Sequence, residues 1–416
     1  MTPSLWAGRG RVGAWDCSSR GYKKYIDMHK ASNDEFADRH SALTIGWYDI
    51  YPVDGKTNGN EIVRYQHTDD IDYLGMTALV NNYSMVNIYF DASPEELPAF
   101  HRNAAIFRKY DSLRKNHYFS KEFLDSFKNS EFEHQLVELG DNEYAFLQKK
   151  YQKAKLYDLH DEDRNSKEFT NPFDEQTPFV RIEAMISAEN GDEIPFVKFD
   201  KEKDLTEQTL DMEFTKPFDM TDYMAKKVSV LGNGKKGGAI SIEVGKISKH
   251  SSARYYIDTD FEGFREFDLI ETDNGERNDL PFDDIYTWKD IVYREAFIYN
   301  NVSEMHIMTT GDVSGVKISD ITLAKRSFEI LKNPSLSIGD TNVTFLCDLK
   351  STDFIEFDGK TAKMIDAGGN ETAIEFKGQL IAPENKFTAS LTTENKTNNR
   401  LRAQLTFGFS GKTIKE

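Results

Sequence analysis

The stretch YYIDTDFEGFREFDLIETD, Tyr255 to Asp273, carries the strand pattern that decides the fold class of its region. Apolar residues such as Ile257 alternate with acidic ones, and after Gly263 the alternation resumes through Phe267 and Leu269. A period of two is typical of a strand with one face on a core and one face in water. The glycine predicts either a connection between two antiparallel strands or a bulge that bends one strand. The stretch therefore predicts an all-β domain.

Composition narrows the classes of function. The 416 residues carry a formal net charge of -18, which disfavours nonspecific binding to nucleic acid, because such binding depends on basic patches. No apolar run approaches the roughly 20 residues that a membrane span requires. The two cysteines, Cys17 and Cys347, form no motif for a structural zinc site. A neutral ligand or a cation is the partner that this acidic chain favours.

The chain changes its pattern along its length. Residues 1–130 alternate strand-like runs with helical ones, such as TDDIDYLGMTALVNN with Thr68 as its expected N-cap, and this predicts parallel strands of a (β/α) barrel. Residues 131–179 read as a small β segment and a linker. Residues 180–328 and 329–416 are runs of short strands and turns, which predict two β-sandwiches. The predicted fold class is a multidomain α/β plus all-β protein.

Several stretches resemble known modules of carbohydrate-active enzymes. KKVSVLGNGKKGGAISIEVG, YYIDTDFEGFREFDLIE and VSEMHIMTTGDVSGVKISDITLA resemble the galactose-binding-like jelly roll, and this resemblance implies that Phe261, Phe267 and Leu269 face its core. NPSLSIGDTNVTFLCDLKSTDFIEFDG resembles a small β-sandwich that follows such modules. RVGAWD, IGWYDIYP and TDDIDYLGMTALVNNYSM resemble the last units of a (β/α)8 glycoside hydrolase barrel (a TIM barrel). The first half of that barrel has no counterpart, so we expect a fragment of a longer bacterial protein.

The resemblance implies three alternatives for function. The first is a glycoside hydrolase that acts on a complex polysaccharide, with an appended β module that binds carbohydrate or braces the barrel. The second is a carbohydrate-binding protein without catalysis, and the third is a structural fragment without activity of its own. The expected partner is a polysaccharide or oligosaccharide. The presumed full-length parent would be secreted to the periplasm or the exterior, although this chain shows no signal peptide.

Glycoside hydrolysis generally uses two carboxylates, and barrel enzymes hold them at the carboxyl ends of strands. Asp16 ends the strand-like run RVGAWD and Asp49 lies late in the run ALTIGWYDIYP, so these two acids are the candidate catalytic residues. Each acid has an ordinary alternative as a helix cap or a partner of a surface arginine. The candidate sugar-binding residues are aromatic residues and one histidine near these acids or in a long insertion of the jelly roll: Trp15, His29, Trp47, Tyr48, Tyr286 and Trp288. Packing within a core or a loop is their alternative.

No cofactor and no catalytic metal are expected. Calcium in a structural role is a further expectation, since it is common in modules that this chain resembles. The oxygen-rich loops DEDRNSKE and DFEGFRE could supply ligands, although neither has the spacing of an EF-hand. The glycine-rich GNGKKGG lacks the order of residues in a phosphate-binding P-loop and reads as a hairpin turn.

Overall fold

The structure of the protein is a computed structural model. It describes residues 44–47, 57–58, 61–62, 67–82, 84–86, 98–199, 201–205, 209–246, 251–270, 299–351, 353–366 and 369–416. Of these residues, 53% lie in strands and 13% in helices. The described part of the protein is therefore mainly β.

The region before residue 130 contains the three α-helices of the described part of the chain. Helix α1 follows His67, which has extended backbone angles (φ -83°, ψ 155°), so His67 and not Thr68 is the N-cap residue. The helix ends at Asn82, which has left-handed angles and donates its N–H to the last turn. The elements are α1 Thr68–Asn81, α2 Pro98–Lys115 and α3 Lys121–Asp125, with strands β1 Thr44–Trp47, β2 Thr57–Asn58, β3 Glu61–Ile62 and β4 Ser84–Val86.

The expected partial (β/α) barrel over residues 1–130 is wrong, and so is the α/β class that it implied. A barrel of that kind repeats a parallel strand and a covering helix. Within the described ranges, β1 and β4 form the one parallel pair, and every other ladder is antiparallel. Helices α1 and α2 pack on each other, and α1 packs beside an antiparallel sheet. The helical pattern from Thr68 was thus correct locally, but its helix lies on a different kind of sheet.

Four strands follow the helices, and three of them, β6, β7 and β8, pair antiparallel with strands from the far end of the chain, whereas β5 pairs with β6. A second group of short strands then follows. The strands are β5 Glu133–Gly140, β6 Glu143–Leu156, β7 Ser166–Asn171 and β8 Phe179–Met185; then β9 Ser187–Ala188, β10 Ile194–Val197, β11 Lys203–Asp204, β12 Leu210–Phe218, β13 Ala225–Asn233, β14 Ala239–Lys246, β15 Ser251–Asp258, β16 Glu262–Leu269, β17 Val302–Thr310, β18 Lys317–Ala324 and β19 Arg326–Ser327, with a 3₁₀ turn at Tyr299–Asn301.

The last ten strands complete the chain. They are β20 Ile330–Lys332, β21 Ser335–Ile338, β22 Thr341–Phe345, β23 Asp348–Lys350, β24 Phe354–Phe357, β25 Ala362–Ile365, β26 Glu371–Ala373, β27 Phe376–Gln379, β28 Asn385–Thr392 and β29 Arg402–Ile414.

Strands β10 to β18 build one sandwich, which we call the inserted sandwich. One sheet has the order β10-β18-β13-β16, with β11 also on β18, and the other has the order β12-β17-β14-β15. Both sheets contribute to one apolar core that includes Val228, Ile242, Ile257 and Ile321. The alternation seen in the sequence thus places one side of each strand in the core.

The opening stretch crosses between these two sheets. Strand β15 is an edge of one sheet and β16 is an edge of the other, so the consecutive strands do not pair with each other. The prediction that Phe261, Phe267 and Leu269 face the core is confirmed, since each is no more than 7% exposed. Gly263 lies within β16 with a φ of +80°, a conformation that favours glycine, and not in the connection between the strands.

The other sandwich, the C-terminal sandwich, combines strands from both sides of the insertion. Its seven-stranded sheet has the order β26-β25-β24-β8-β29-β6-β5, and its five-stranded sheet has the order β27-β22-β21-β28-β7. Apolar residues such as Phe169, Ile182, Phe345 and Phe407 form its core. Residues 133–185 therefore belong with residues 335–414, whereas the sequence pattern had placed 131–179 as a separate segment.

A charged contact joins the two sandwiches. Arg400, before β29, donates from Nη2 to Oε1 of Glu266 at 2.7 Å and from Nε to Oδ2 of Asp268 at 3.1 Å. Beside it, the ring of Tyr157 meets Phe267 edge to face at 5.1 Å. Asp268 is only 2% exposed, so the guanidinium compensates a buried carboxylate of the inserted sandwich.

Candidate functional site

The outer face of the seven-stranded sheet carries ionisable residues where α1 lies on it. On β8, Val180 and Ile182 point into the core of the C-terminal sandwich, so the alternation places Arg181 and Glu183 on the opposite face. Helix α1 covers that face, and Arg181 is 0% exposed while Glu183 is 6% exposed. The strand thus presents a buried positive and a buried negative side chain to the helix.

Arg181 is the centre of the first contact between sheet and helix. Its Nη2 contacts Oδ1 of Asp69 on α1, and it also donates to Oε1 of Glu356 on β24 at 2.8 Å. Its guanidinium carbon lies 5.5 Å from the ring centre of Phe179 and 5.8 Å from that of Phe354. Burial alone would lower the pKa of Arg181, but the neighbouring carboxylates raise it above its ordinary value. The side chain therefore carries its charge in the interior.

His67 and Glu183 form the second contact. Nε2 of His67 lies 3.3 Å from Oε1 of Glu183, and Gln404 on β29 donates to the other carboxylate oxygen. The ring of Phe354 meets the imidazole edge to face, with centres 4.9 Å apart. The residue that begins α1 is thus held to two strands of the sheet.

Asp72 forms the third contact, between α1, α2 and the edge strand β5. The hydroxyl of Tyr110 donates to Oδ1 at 3.0 Å, and Nε2 of Gln135 donates to Oδ2 at 2.8 Å. The same Tyr110 hydroxyl accepts a hydrogen bond from the N–H of Leu136 at 2.9 Å. One carboxyl group therefore joins two helices and a strand.

Burial determines the titration of this third contact. It raises the pKa of Asp72 from 3.8 to about 6, although the hydrogen bonds from Gln135 and Tyr110 act in the opposite direction. Burial also raises the pKa of Tyr110 well above its ordinary value, and it lowers the pKa of Lys149 on β6. Lys149 is 9% exposed and donates to Oγ of Ser410 at 2.8 Å. The hydroxyl of Tyr110 therefore stays protonated as a donor to Asp72.

Nη1 of Arg181 and Nδ1 of His67 are buried without a hydrogen-bond partner, and so is Oγ1 of the neighbouring Thr406, whose Cα is the register partner of Arg181. Among the residues that the structure describes, no group of three His, Cys, Asp or Glu side chains could hold a metal ion. The cluster is enclosed, which suits the docking of a helix better than the turnover of a substrate. We call it the docking cluster, and it consists of His67, Asp69, Asp72, Tyr110, Gln135, Lys149, Arg181, Glu183, Glu356 and Gln404.

Most of the predicted site residues lie outside the part of the chain that the structure describes. Asp16, Trp15, His29, Asp49 and Tyr48 lie outside the described residues, as do Tyr286 and Trp288. Trp47 is the last residue of β1, and only its place in that strand is described. Their roles stay predictions, as does structural calcium.

Sequence reasoning missed the docking cluster for a physical reason. Arg181 and Glu183 alternate with apolar residues, a pattern that predicts a solvated face of an antiparallel sheet. The sequence feature that could have revealed the cluster is the set of three aspartates at positions 69, 70 and 72. The first turn of a helix favours acidic residues, but only Asp69 and Asp70 lie in the first turn of α1, so Asp72 needs another partner. All three are buried, at 4%, 4% and 8% exposure.

Comparison with known proteins gives no family for the chain, since the sequence matches no protein-family model and no curated protein. The described helices include none with the length and apolar character needed to cross a bilayer.

Proposed function

We propose that this chain is part of a carbohydrate-active protein that hydrolyses glycosidic bonds of a complex polysaccharide, and that its two sandwiches act as a brace. The resemblance of residues 226–245, 255–271 and 302–324 to a galactose-binding-like module supports the carbohydrate class. The brace holds α1 and α2 in a fixed position on the C-terminal sandwich. The docking cluster is where this holding takes place.

The observation that carries the brace is the complete burial of Arg181 between Asp69 of α1 and Glu356 of β24. A charge of this kind is stabilised only while its partners stay in place, because an uncompensated charge in the interior is strongly unfavourable. Undocking α1 would separate Asp69 from Arg181. Helix α2 adds exposed ion pairs to both edges of the sheet, from Arg102 to Glu371 on β26 and from Lys109 to Glu138 on β5.

The brace is tested with Arg181→Met in the full chain. Methionine keeps much of the length and apolar contact but leaves Asp69 and Glu356 without their cation. We expect a loss of about 3–5 kcal/mol in the free energy of docking. Protection of the α1 amides against hydrogen exchange should fall accordingly, while protection of β14 and β17 in the inserted sandwich stays unchanged.

The matched control is Lys415→Met, which removes an exposed ion pair with Glu143 in the same sandwich. We expect it to change α1 protection by less than a factor of about five, because exposed pairs contribute little. Equal protection of α1 in the wild type and Arg181→Met would overturn the brace.

The carbohydrate class is tested separately with a panel of soluble polysaccharides. We expect reducing-sugar release by the wild type and a loss of at least a hundredfold in Asp16→Asn or Asp49→Asn, since both candidate acids would act in the reaction. Glycan retention without sugar release would contradict hydrolysis and leave a binding protein. If the protein neither retains glycan nor releases sugar, the carbohydrate class is contradicted.

A further inference from the structure

Asp72 is placed where the charge of one carboxyl group affects three elements at once. It is 8% exposed and accepts hydrogen bonds from Tyr110 on α2 and from Gln135 on β5. Asp69, one turn earlier on α1, is a second buried carboxylate close enough to disfavour a charge on Asp72. An ionised Asp72 is therefore poorly compensated where α1 docks.

Asp72 is the group of this contact that takes up a proton when the pH falls, because its neighbours are paired or neutral. Asp69 is paired with Arg181, and the charge of Lys149 lowers the pKa of Asp72 by less than the charge of Asp69 raises it. Tyr110 stays neutral because its pKa is raised. Other charged groups on the packed elements form their own pairs: Glu183 with His67, Glu356 with Arg181, Arg102 with Glu371, Lys109 with Glu138, Asp111 with Arg114 and Lys115, and Lys121 and Lys128 with Asp125. His101, Arg108 and Glu122 are exposed, and Asp70, next to Asp69 in α1, is buried at 4% exposure. His134 on β5 is also buried, and burial lowers its pKa to about 4, so it stays neutral between pH 5 and pH 8.

We propose that α1 is a pH-sensitive latch, which docks more tightly on the seven-stranded sheet in mildly acidic solution than in neutral solution. When Asp72 takes up a proton, the carboxyl group loses its charge in the interior and keeps one acceptor oxygen for Gln135 or Tyr110. Its new O–H can donate to the second lone pair of the Tyr110 oxygen or to the amide oxygen of Gln135. The inference rests on the brace, because a latch has an effect only if the docking of α1 holds the two helices on the sheet.

The size of the effect follows from the two states of Asp72. Its pKa is about 6 when α1 is docked, and it returns towards 3.8 when the helix opens and the carboxyl group meets water. The opened state then binds fewer protons than the docked state throughout this interval. The opening equilibrium constant of α1 therefore rises by about tenfold between pH 5 and pH 8.

The experiment measures hydrogen-exchange protection factors of the α1 amides at pH 5 and pH 8, normalised for the intrinsic exchange rate at each pH. The wild-type protein should lose about tenfold in protection between the two values. In Asp72→Asn the protection should be equal at both, because asparagine has the same shape and no proton to gain. Equal wild-type protection at both pH values, or a tenfold loss that persists in Asp72→Asn, would overturn the latch.

Tyr110→Phe provides a second variant if Asp72→Asn fails to fold. It keeps the ring that packs under Gly75 but removes one donor to the ionised carboxylate. The midpoint of the pH dependence should then move to higher pH, and an unmoved midpoint would contradict the role of Asp72. Loss of α1 protection in Arg181→Met without any pH dependence in the wild type would leave the brace standing and remove only the latch.

Discussion

His134 is a buried ionisable side chain whose effect on stability opposes that of Asp72. It lies on β5 at 6% exposure, and its ring packs edge to face on Phe127 at 4.6 Å. Burial lowers its pKa from 6.5 to about 4, so it stays neutral in the folded protein at pH 5. The unfolded chain takes up a proton at pH 6.5 and below, which means that His134 reduces the free energy of unfolding as the pH falls from 6.5 to 4.

We predict that His134→Gln removes this acid sensitivity. Relative to the wild type, the variant should gain free energy of unfolding when the pH is lowered from 7 to 5, because glutamine takes up no proton in either state. Asp72→Asn should show the reverse trend over the same interval, since protonation of Asp72 stabilises the folded state as the pH falls through 6. Urea unfolding of both variants and the wild type at pH 5 and pH 7 measures the two trends. Trends of the same sign in both variants would contradict this assignment.

The docking cluster shows what a sequence pattern can predict about a strand residue, namely the face of the sheet on which it lies. Alternation correctly indicates that Ile182 and Arg181 occupy opposite faces of β8. It carries no information on whether the second face meets water or a helix from a distant part of the chain. Asp69 lies 112 positions before Arg181, so their contact depends on tertiary packing and not on any local preference.

At the scale of elements, the connection from β15 to β16 passes very close to the backbone of Gly232. This residue of β13 is the register partner of Gly263, and a Cβ added to it would lie 2.1 Å from the carbonyl oxygen of Phe261. That atom belongs to the backbone and cannot rotate away. Strand β13 therefore requires glycine where the chain passes from one sheet to the other.

We predict that Gly232→Ala lowers the free energy of unfolding by more than about 3 kcal/mol, because the crossing segment must shift. Gly263→Ala is the matched control, since its φ of +80° is strained for alanine but its Cβ would meet no atom within 4 Å. We expect it to lose about 1–2 kcal/mol. Urea midpoints measure both changes, and an equal loss in the two variants would show that the close approach is not limiting.

Local elements were predictable where their pattern is strong. The run from Thr68 was expected to be helical and forms α1 to Asn81, and the alternation around Ile257 and Phe267 marks strands with the expected buried side. The arrangement of those elements was not predictable in the same way. A helix beside strand-like runs is typical of a barrel, but a helix with the same sequence pattern packs equally well on an antiparallel sheet, so the periodicity does not distinguish the two folds.

At the scale of the whole molecule, one sandwich is inserted into another. The chain leaves the C-terminal sandwich after β8, builds the inserted sandwich from β10 to β18, and returns through β19, which pairs with β9 beside the exit. The pairing of β7 with β28, which joins residues about two hundred positions apart, cannot be deduced from local patterns. The outgoing connection through β9 and the returning connection through β19 lie side by side. Contacts between the two sandwiches near these connections therefore determine whether the sandwiches unfold together.

We predict that Arg400→Met uncouples the two sandwiches. The substitution leaves the buried Asp268 without its guanidinium and removes the bond to Glu266, which should cost about 2–4 kcal/mol and divide a single calorimetric unfolding transition into two. Lys325→Met, which removes the exposed pair with Asp192 near the same connection, should leave one transition. Adding Asp268→Asn to Arg400→Met should recover part of the loss, because no carboxylate then stays buried without a cation. A single transition with an unchanged midpoint in Arg400→Met would show that the two cores are coupled through the connections themselves, and not through this ion pair.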